Sequence, residues 1–209
     1  MAIIVSDYQQ KGRRAKMPVS EKQAKPTKLI IIRGLPGSGK SYIAKNLADK
    51  LDALHTQLID PDAIDYDSND YKSLSAELLL EGVDTKLHPY RYLRALAYRA
   101  ISAEKAVIWN QAFTHQDLLD RTIKNLQNYA TEHHISILIF VIEVSIDIDV
   151  AKKRVLNRTV AGGHGVSEVE FVRFITDYKT FAGYGYPIIQ VDGSNNVSDS
   201  VDKILFETK

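Results

Sequence analysis

Residues 34–41 read GLPGSGKS, a spacing that satisfies GxxxxGK[ST]. Glycines at 34, 37 and 39 let the backbone curl so that successive N–H groups converge on one point, and a helix starting there adds the partial positive charge of its N-terminus. Gly34, Leu35, Pro36, Gly37, Ser38 and Gly39 thus form a phosphate cradle. Lys40 bridges β- and γ-phosphates as a point charge, and the Ser41 hydroxyl is placed to coordinate Mg²⁺. The implied chemistry begins with a bound nucleotide.

Phosphoryl transfer to an acceptor also needs a group to take the acceptor's hydroxyl proton and cations to hold the loosening γ-phosphoryl. The base-reading NKxD motif of GTP switches and the LSGGQ motif of transporter ATPases are both absent, which favours a kinase. LIDPDAID places Asp60 and Asp62 just past a strand, on the same rim as the phosphate loop in a parallel sheet. Asp60 is a candidate for the metal site together with Ser41. Arg154 and Arg158 stand four apart on one helical face, directly before a glycine-rich stretch containing His164. That pattern predicts a lid over about residues 154–178 that closes on the triphosphate, compensates transition-state charge and excludes water.

Alternating strand-like and helix-like segments must position these groups, which predicts an α/β domain with a parallel sheet. Strands are expected over 28–33, 55–60, 106–110, 136–143 and 187–192, mostly apolar as suits strands covered on both faces. Helices are expected over 39–51, 71–81, 89–105, 115–133 and 198–206. Ser167 with Glu170 makes a capping box for another, running to about Tyr178.

The chain has 209 residues, 44% hydrophobic and 25% charged, which fits one domain with a modest appendage. It holds no cysteine, so disulfides, thiolate metal sites and cysteine nucleophiles are excluded, in keeping with a reducing, cytoplasmic setting. The longest apolar run, 135–144, is about half what a membrane helix requires, so no membrane role is expected. Residues 1–28 carry seven basic and two acidic side chains, leaving 20 basic against 24 acidic for the remainder. We therefore expect a basic, flexible extension over 1–27 and a slightly acidic domain over 28–209, with nucleic acid a less favoured partner.

The GLPGSGKS loop, the IDPD turn, and RVLNR followed by GGHGVSEVEFVRF resemble the zeta-toxin and polynucleotide-kinase branch of P-loop kinases, from about Lys28 to Asp192. The resemblance implies a P-loop αβα sandwich with strand order 2-3-1-4-5, ATP with Mg²⁺, and phosphorylation of a hydroxyl near the second-strand carboxylate. By position, Asp62 matches the family's catalytic aspartate. The zeta group further implies a nucleotide-sugar or other small-molecule acceptor and an antitoxin-type protein partner. Two departures stand out: the third strand ends in Asn110 and Gln111 where the family carries an acid or a DTN segment, and Asp65 replaces an arginine that helps polynucleotide kinases hold their acceptor.

The insertion between the second and third strands is expected to build the acceptor pocket, with Arg91 and Arg94 opposite an apolar line of Leu93, Leu96, Ala97, Ala100 and Ile101. Arg91, Arg94, Asn110, Gln111 and His164 are the acceptor-binding candidates; His88 reads equally as a site or a structural residue, and Trp109 as core. The expected activity is transfer of the ATP γ-phosphoryl to a hydroxyl of a small molecule or nucleotide-sugar, with Lys40, Asp62, Arg154 and Arg158 in catalytic roles. The alternatives are a polynucleotide 5′-hydroxyl kinase and a nucleotide-binding regulatory module with decayed chemistry.

Overall fold

The computed structural model describes residues 25–160 and 166–209, the side chains of 159 and 160 excepted. Most of the expected extension over 1–27, and His164 with its glycine-rich stretch, lie outside the described residues.

Five parallel strands, β1 (Thr27–Gly34), β2 (Thr56–Ile59), β3 (Ala106–Asn110), β4 (Ile137–Ser145) and β5 (Ile188–Asp192), form one sheet in the order β2-β3-β1-β4-β5. Side chains alternate across β1, so Leu29 and Ile31 face one side while Ile30 and Ile32 face the other, and all four are fully buried. Helices α1 (Lys40–Lys50), α2 (Asn69–Leu80), α3 (His88–Ser102), α4 (Gln116–Glu132), α5 (Ile148–Val160), α6 (Glu168–Asp177) and α7 (Val197–Glu207) follow.

The Ile30 face packs against Ile43 and Leu47 of α1 and Val201 and Ile204 of α7. The Leu29 face packs against Leu93, Ala97 and Ile101 of α3, Leu119, Ile123 and Leu126 of α4, and Phe181. A separate small cluster of Ala151, Val155 and Phe171 joins α5 to α6. The element supporting the expected lid is therefore held by its own contacts rather than by the main core.

Most boundaries agree with the sequence reading to within two residues, and the differences have local causes. The second helix starts at Asn69 because the Ser68 side chain accepts a hydrogen bond from the Tyr71 N–H and caps it. The Ser167–Glu170 capping box is present with both reciprocal bonds. Between β2 and α2 the chain makes a 3₁₀ turn, Pro61–Ala63, that the sequence reading treated only as a turn; the Asp60 carboxylate caps it.

Candidate active site

The glycine-rich loop joins the C-terminal end of β1 to α1. Gly39 sits at the helix cap with φ 91°, and no side chain caps the helix, which leaves its first N–H groups available to an anion. Gly37 has φ +82°, and a Cβ there would collide with the carbonyl oxygen of Ala151, so α5 lies directly against the loop. Ser38 is fully buried, and its Oγ has no hydrogen-bond partner among the described residues. Burial holds the Lys40 ammonium below its ordinary pKa; the carboxylates of Asp62 and Asp60 oppose this, and Arg158 adds to it. Lys40 is therefore within electrostatic reach of both aspartates and of Arg158.

Asn110, at the end of β3, sits between two of the metal-site candidates. Its Nδ2 donates to Asp60 Oδ2 at 2.7 Å and to Ser41 Oγ at 3.1 Å, while its Oδ1 is buried with no partner among the described residues. Asn110, expected as an acceptor contact, stands at the junction of loop and strand. The Asp60 carboxylate is doubly engaged, since Oδ1 also accepts from the Asp62 N–H at 3.0 Å. Asp62 is exposed, and no hydrogen bond or ion pair holds its carboxylate among the described residues.

Arg154 reaches back onto the loop. Its Nη1 donates to the Gly193 carbonyl at 3.0 Å and to the Gly37 carbonyl at 3.3 Å. Gly193, in the turn after β5, was not singled out from the sequence, although a DGS turn after a strand was the available signal. A Cβ at Gly193 would run into the carbonyl oxygen of Ser38, so this turn and the loop are in direct contact. Lys152 and Glu168 pair at 2.6 Å between α5 and α6.

Arg33, one residue before the loop, was also missed. It is fully buried, with Nη1 2.6 Å from Glu143 Oε1 and Nη2 donating to the carbonyls of Phe113 at 2.7 Å and Lys179 at 2.8 Å. Glu143 also accepts from the Phe181 N–H, from Thr180 Oγ1 at 2.9 Å and from Gln190 Nε2 at 2.7 Å. The Arg33 guanidinium lies 4.4 Å from the Tyr178 ring centroid, and burial pushes the Tyr178 phenol up to about 12. The chain returning from α6 is thus tied to the strand that carries the loop.

The remaining acceptor candidates are spread out. Arg91 is exposed, and neither it nor Arg94 lines the cleft that opens beside Asp60. Gln111 Oε1 accepts from Trp109 Nε1 at 3.0 Å, and Trp109 is buried in the core as expected. His88 is structural: it is buried, its Nε2 donates to the Val83 carbonyl at 3.0 Å, and its Nδ1 meets Ser75 Oγ at 2.7 Å.

A five-stranded parallel sheet in this order, helices on both faces and the glycine-rich loop between β1 and α1 define a P-loop NTPase of the αβα class. The chain belongs to the AAA domain family AAA_33, whose family model matches residues 29–178. No curated protein sequence matches it. Among solved structures, a presumed kinase from Chloroflexus aurantiacus J-10-fl is similar in fold, with TM-score 0.61 and 18% identity over 87% of this chain and 98% of that one. A chain of the PezAT chromosomal toxin–antitoxin system of Streptococcus pneumoniae gives TM-score 0.56 and 14% identity, over 85% of this chain and 72% of that one. A gluconokinase from Sinorhizobium meliloti 1021 gives 0.53 and 19%, over 87% and 90%. Among the described residues, no helix is long and apolar enough to cross a membrane.

Proposed function

We propose that this protein is an ATP-dependent kinase that transfers the γ-phosphoryl group of ATP to a hydroxyl of a small-molecule acceptor, through a domain spanning 28–209 and a lid over about 154–178. One observation carries the reading. Two aspartates follow β2 within electrostatic reach of Lys40, one positioned and one open: Asp60 accepts from Asn110 and from the backbone, whereas no hydrogen bond or ion pair holds the Asp62 carboxylate among the described residues. A phosphotransferase needs this division, because the carboxylate that steadies the cation site and the carboxylate that takes a proton cannot be the same group.

The residues present fit a magnesium ion. Ser41 Oγ and the Asp60 carboxylate are hard oxygen donors held together by one amide, and Mg²⁺ commonly takes one or two protein oxygens with the rest supplied by water and phosphate. Held by Ser41 and Asp60, the ion would supply positive charge that offsets the charge developing on the leaving group. The chain does the rest. Loop N–H groups and the uncapped α1 terminus bind the phosphates, Lys40 bridges the β- and γ-groups, Asp62 accepts the acceptor's proton, and Arg154 and Arg158 bring charge to the γ-phosphoryl from the lid side.

The likeness to kinase folds and to a toxin–antitoxin protein supports phosphotransfer as the class of reaction, and the latter motivates a search for an inhibitory protein partner. ADP formation with pooled metabolites as acceptors tests the reading. Acceptor-stimulated turnover that vanishes in Lys40→Ala is expected; acceptor-independent turnover, or none, would count against it.

A further inference from the structure

A cleft of about 470 Å³ opens from the cation site outward over β2, within the usual range for small-ligand pockets. Ser41 and Asp60, the two oxygen donors assigned above, are among the residues that line it. It lies at the border of the sheet, because β2 pairs only with β3. Apolar side chains dominate its body: Ile59 from the strand, Ile64 from the roof, and Tyr92, Leu93 and Leu96 from α3. Tyr92 is held edge-on by Tyr71 at 5.2 Å between centroids, and Tyr71 by Tyr66 at 5.0 Å, so the aromatic wall is fixed before any ligand arrives.

The charges around this space decide what it can hold. Among the described residues Lys45 is the cation that lines it, against the carboxylates of Asp60 and Asp65; exposed Asp62 stands close by in the chain, and Asp67 is paired with Lys72 at 2.9 Å. The arginines expected to receive an anionic acceptor, Arg91 and Arg94, do not line it. Lys40 offsets Asp60 and Asp62 at the loop, but neither it nor Arg158 lines the cleft, so a phosphodiester or diphosphate in its body would lose water against apolar walls and meet Asp65, with Lys45 alone among the lining residues to offset it. An uncharged alcohol meets no such penalty, and its apolar body covers the leucine and tyrosine surface.

We infer that this cleft is the acceptor pocket and that the acceptor is an alcohol with an apolar body of one or two rings and no phosphate or carboxylate group. The inference rests on the kinase reading above and narrows it, against a nucleotide-sugar. The hydroxyl enters at the Asp60 end. Its oxygen forms a bond to the γ-phosphorus as the bond from that phosphorus to the ADP oxygen breaks, and its proton passes to the Asp62 carboxylate.

Saturation-transfer NMR on the full chain, loaded with Mg²⁺ and an unreactive ATP analogue, reads the pocket directly. The probes are 2-(2-naphthyl)ethanol, UDP-glucose and a short oligothymidine with a free 5′-hydroxyl. Naphthylethanol should bind, and Leu96→Trp, which fills the cleft, should weaken it by about tenfold or more without loss of the ATP analogue. Ala63→Trp obstructs the same space from an exposed position and serves should the core variant fail to fold. Absence of naphthylethanol binding, binding unaffected by both substitutions, or UDP-glucose or oligothymidine binding that either substitution removes would overturn the inference. ADP formation with ATP is the second arm: naphthylethanol should stimulate it. Stimulation by UDP-glucose or oligothymidine alone would overturn the acceptor class while leaving the kinase reading intact. Cleft binding with no phosphorylation of any probe would instead overturn the kinase reading, and the acceptor role with it.

Discussion

Arg33 and Glu143 face each other in the register of β1 and β4, and their side chains close a buried 2.6 Å ion pair directly beneath the phosphate loop. Around it converge the Phe113 carbonyl and the residues just after α6, so one charge pair links the loop strand to the chain that follows α6. Removing either partner leaves a buried charge unmatched.

Glu143→Gln should therefore cost about 3–5 kcal/mol of stability, well beyond a surface substitution. It should also change the pH dependence. Burial alone would raise the Glu143 carboxyl, but hydrogen bonds from Phe181, Gln190 and Thr180 and the Arg33 charge outweigh it and hold the group below its ordinary 4.5. A depressed carboxyl contributes stability that is complete above the unfolded value and lost as pH falls through the folded one. Urea midpoints from pH 7 to pH 3 should fall in the native protein below about 4.5 more steeply than in the glutamine variant. Parallel curves would show that Glu143 does not carry this dependence.

Lys40→Ala removes the charge for the β- and γ-phosphates while leaving the loop backbone in place. Turnover should drop by at least about a hundredfold, with the fold unchanged by circular dichroism. Wild-type turnover in this variant would remove the phosphate-cradle reading.

The two aspartates should respond differently. Asp62→Asn should lower acceptor phosphorylation by roughly 10² to 10⁴ with little change in nucleotide affinity, since the amide cannot take a proton. Asp60→Asn and Asn110→Ala should instead raise the Mg²⁺ concentration needed for half-maximal nucleotide binding, because Asn110 holds Asp60 and Ser41 together. Titration calorimetry with an ATP analogue over a Mg²⁺ series separates them; an unchanged Mg²⁺ requirement in Asn110→Ala would mean the amide only packs.

Arg154 and Arg158 should also separate. Arg158 is exposed yet close enough to shift Lys40, so Arg158→Ala should lower kcat by about 10² to 10³ with little effect on the KM for ATP. Arg154 holds the carbonyls of Gly37 and Gly193, so its alanine variant should raise KM for ATP as well. Lysine should rescue either site poorly, lacking the planar two-pronged donor. Full activity in both lysine variants would make these arginines a solvated helix face.

The sequence by itself determined the loop and most of the scaffold. GLPGSGKS is one contiguous segment whose glycines, lysine and serine bring phosphate, charge and hydroxyl together through local backbone geometry, so it can be read without a fold. Strands and helices were legible for the same reason: apolar runs, caps and turn residues act within a few positions. Everything that depends on residues far apart in the chain was decided by tertiary structure. Arg33 and Glu143 are 110 positions apart, and each alone reads as an ordinary charge at a strand end. Asn110 lies 69 positions from Ser41 and 50 from Asp60, and nothing local says that its amide meets both. Arg154 meets Gly193 only because the sheet order sets the turn after β5 beside the loop. The cleft exists because β2 is the border strand and α3 covers it from one side, a relation that pairing between strands creates and residue spacing does not encode.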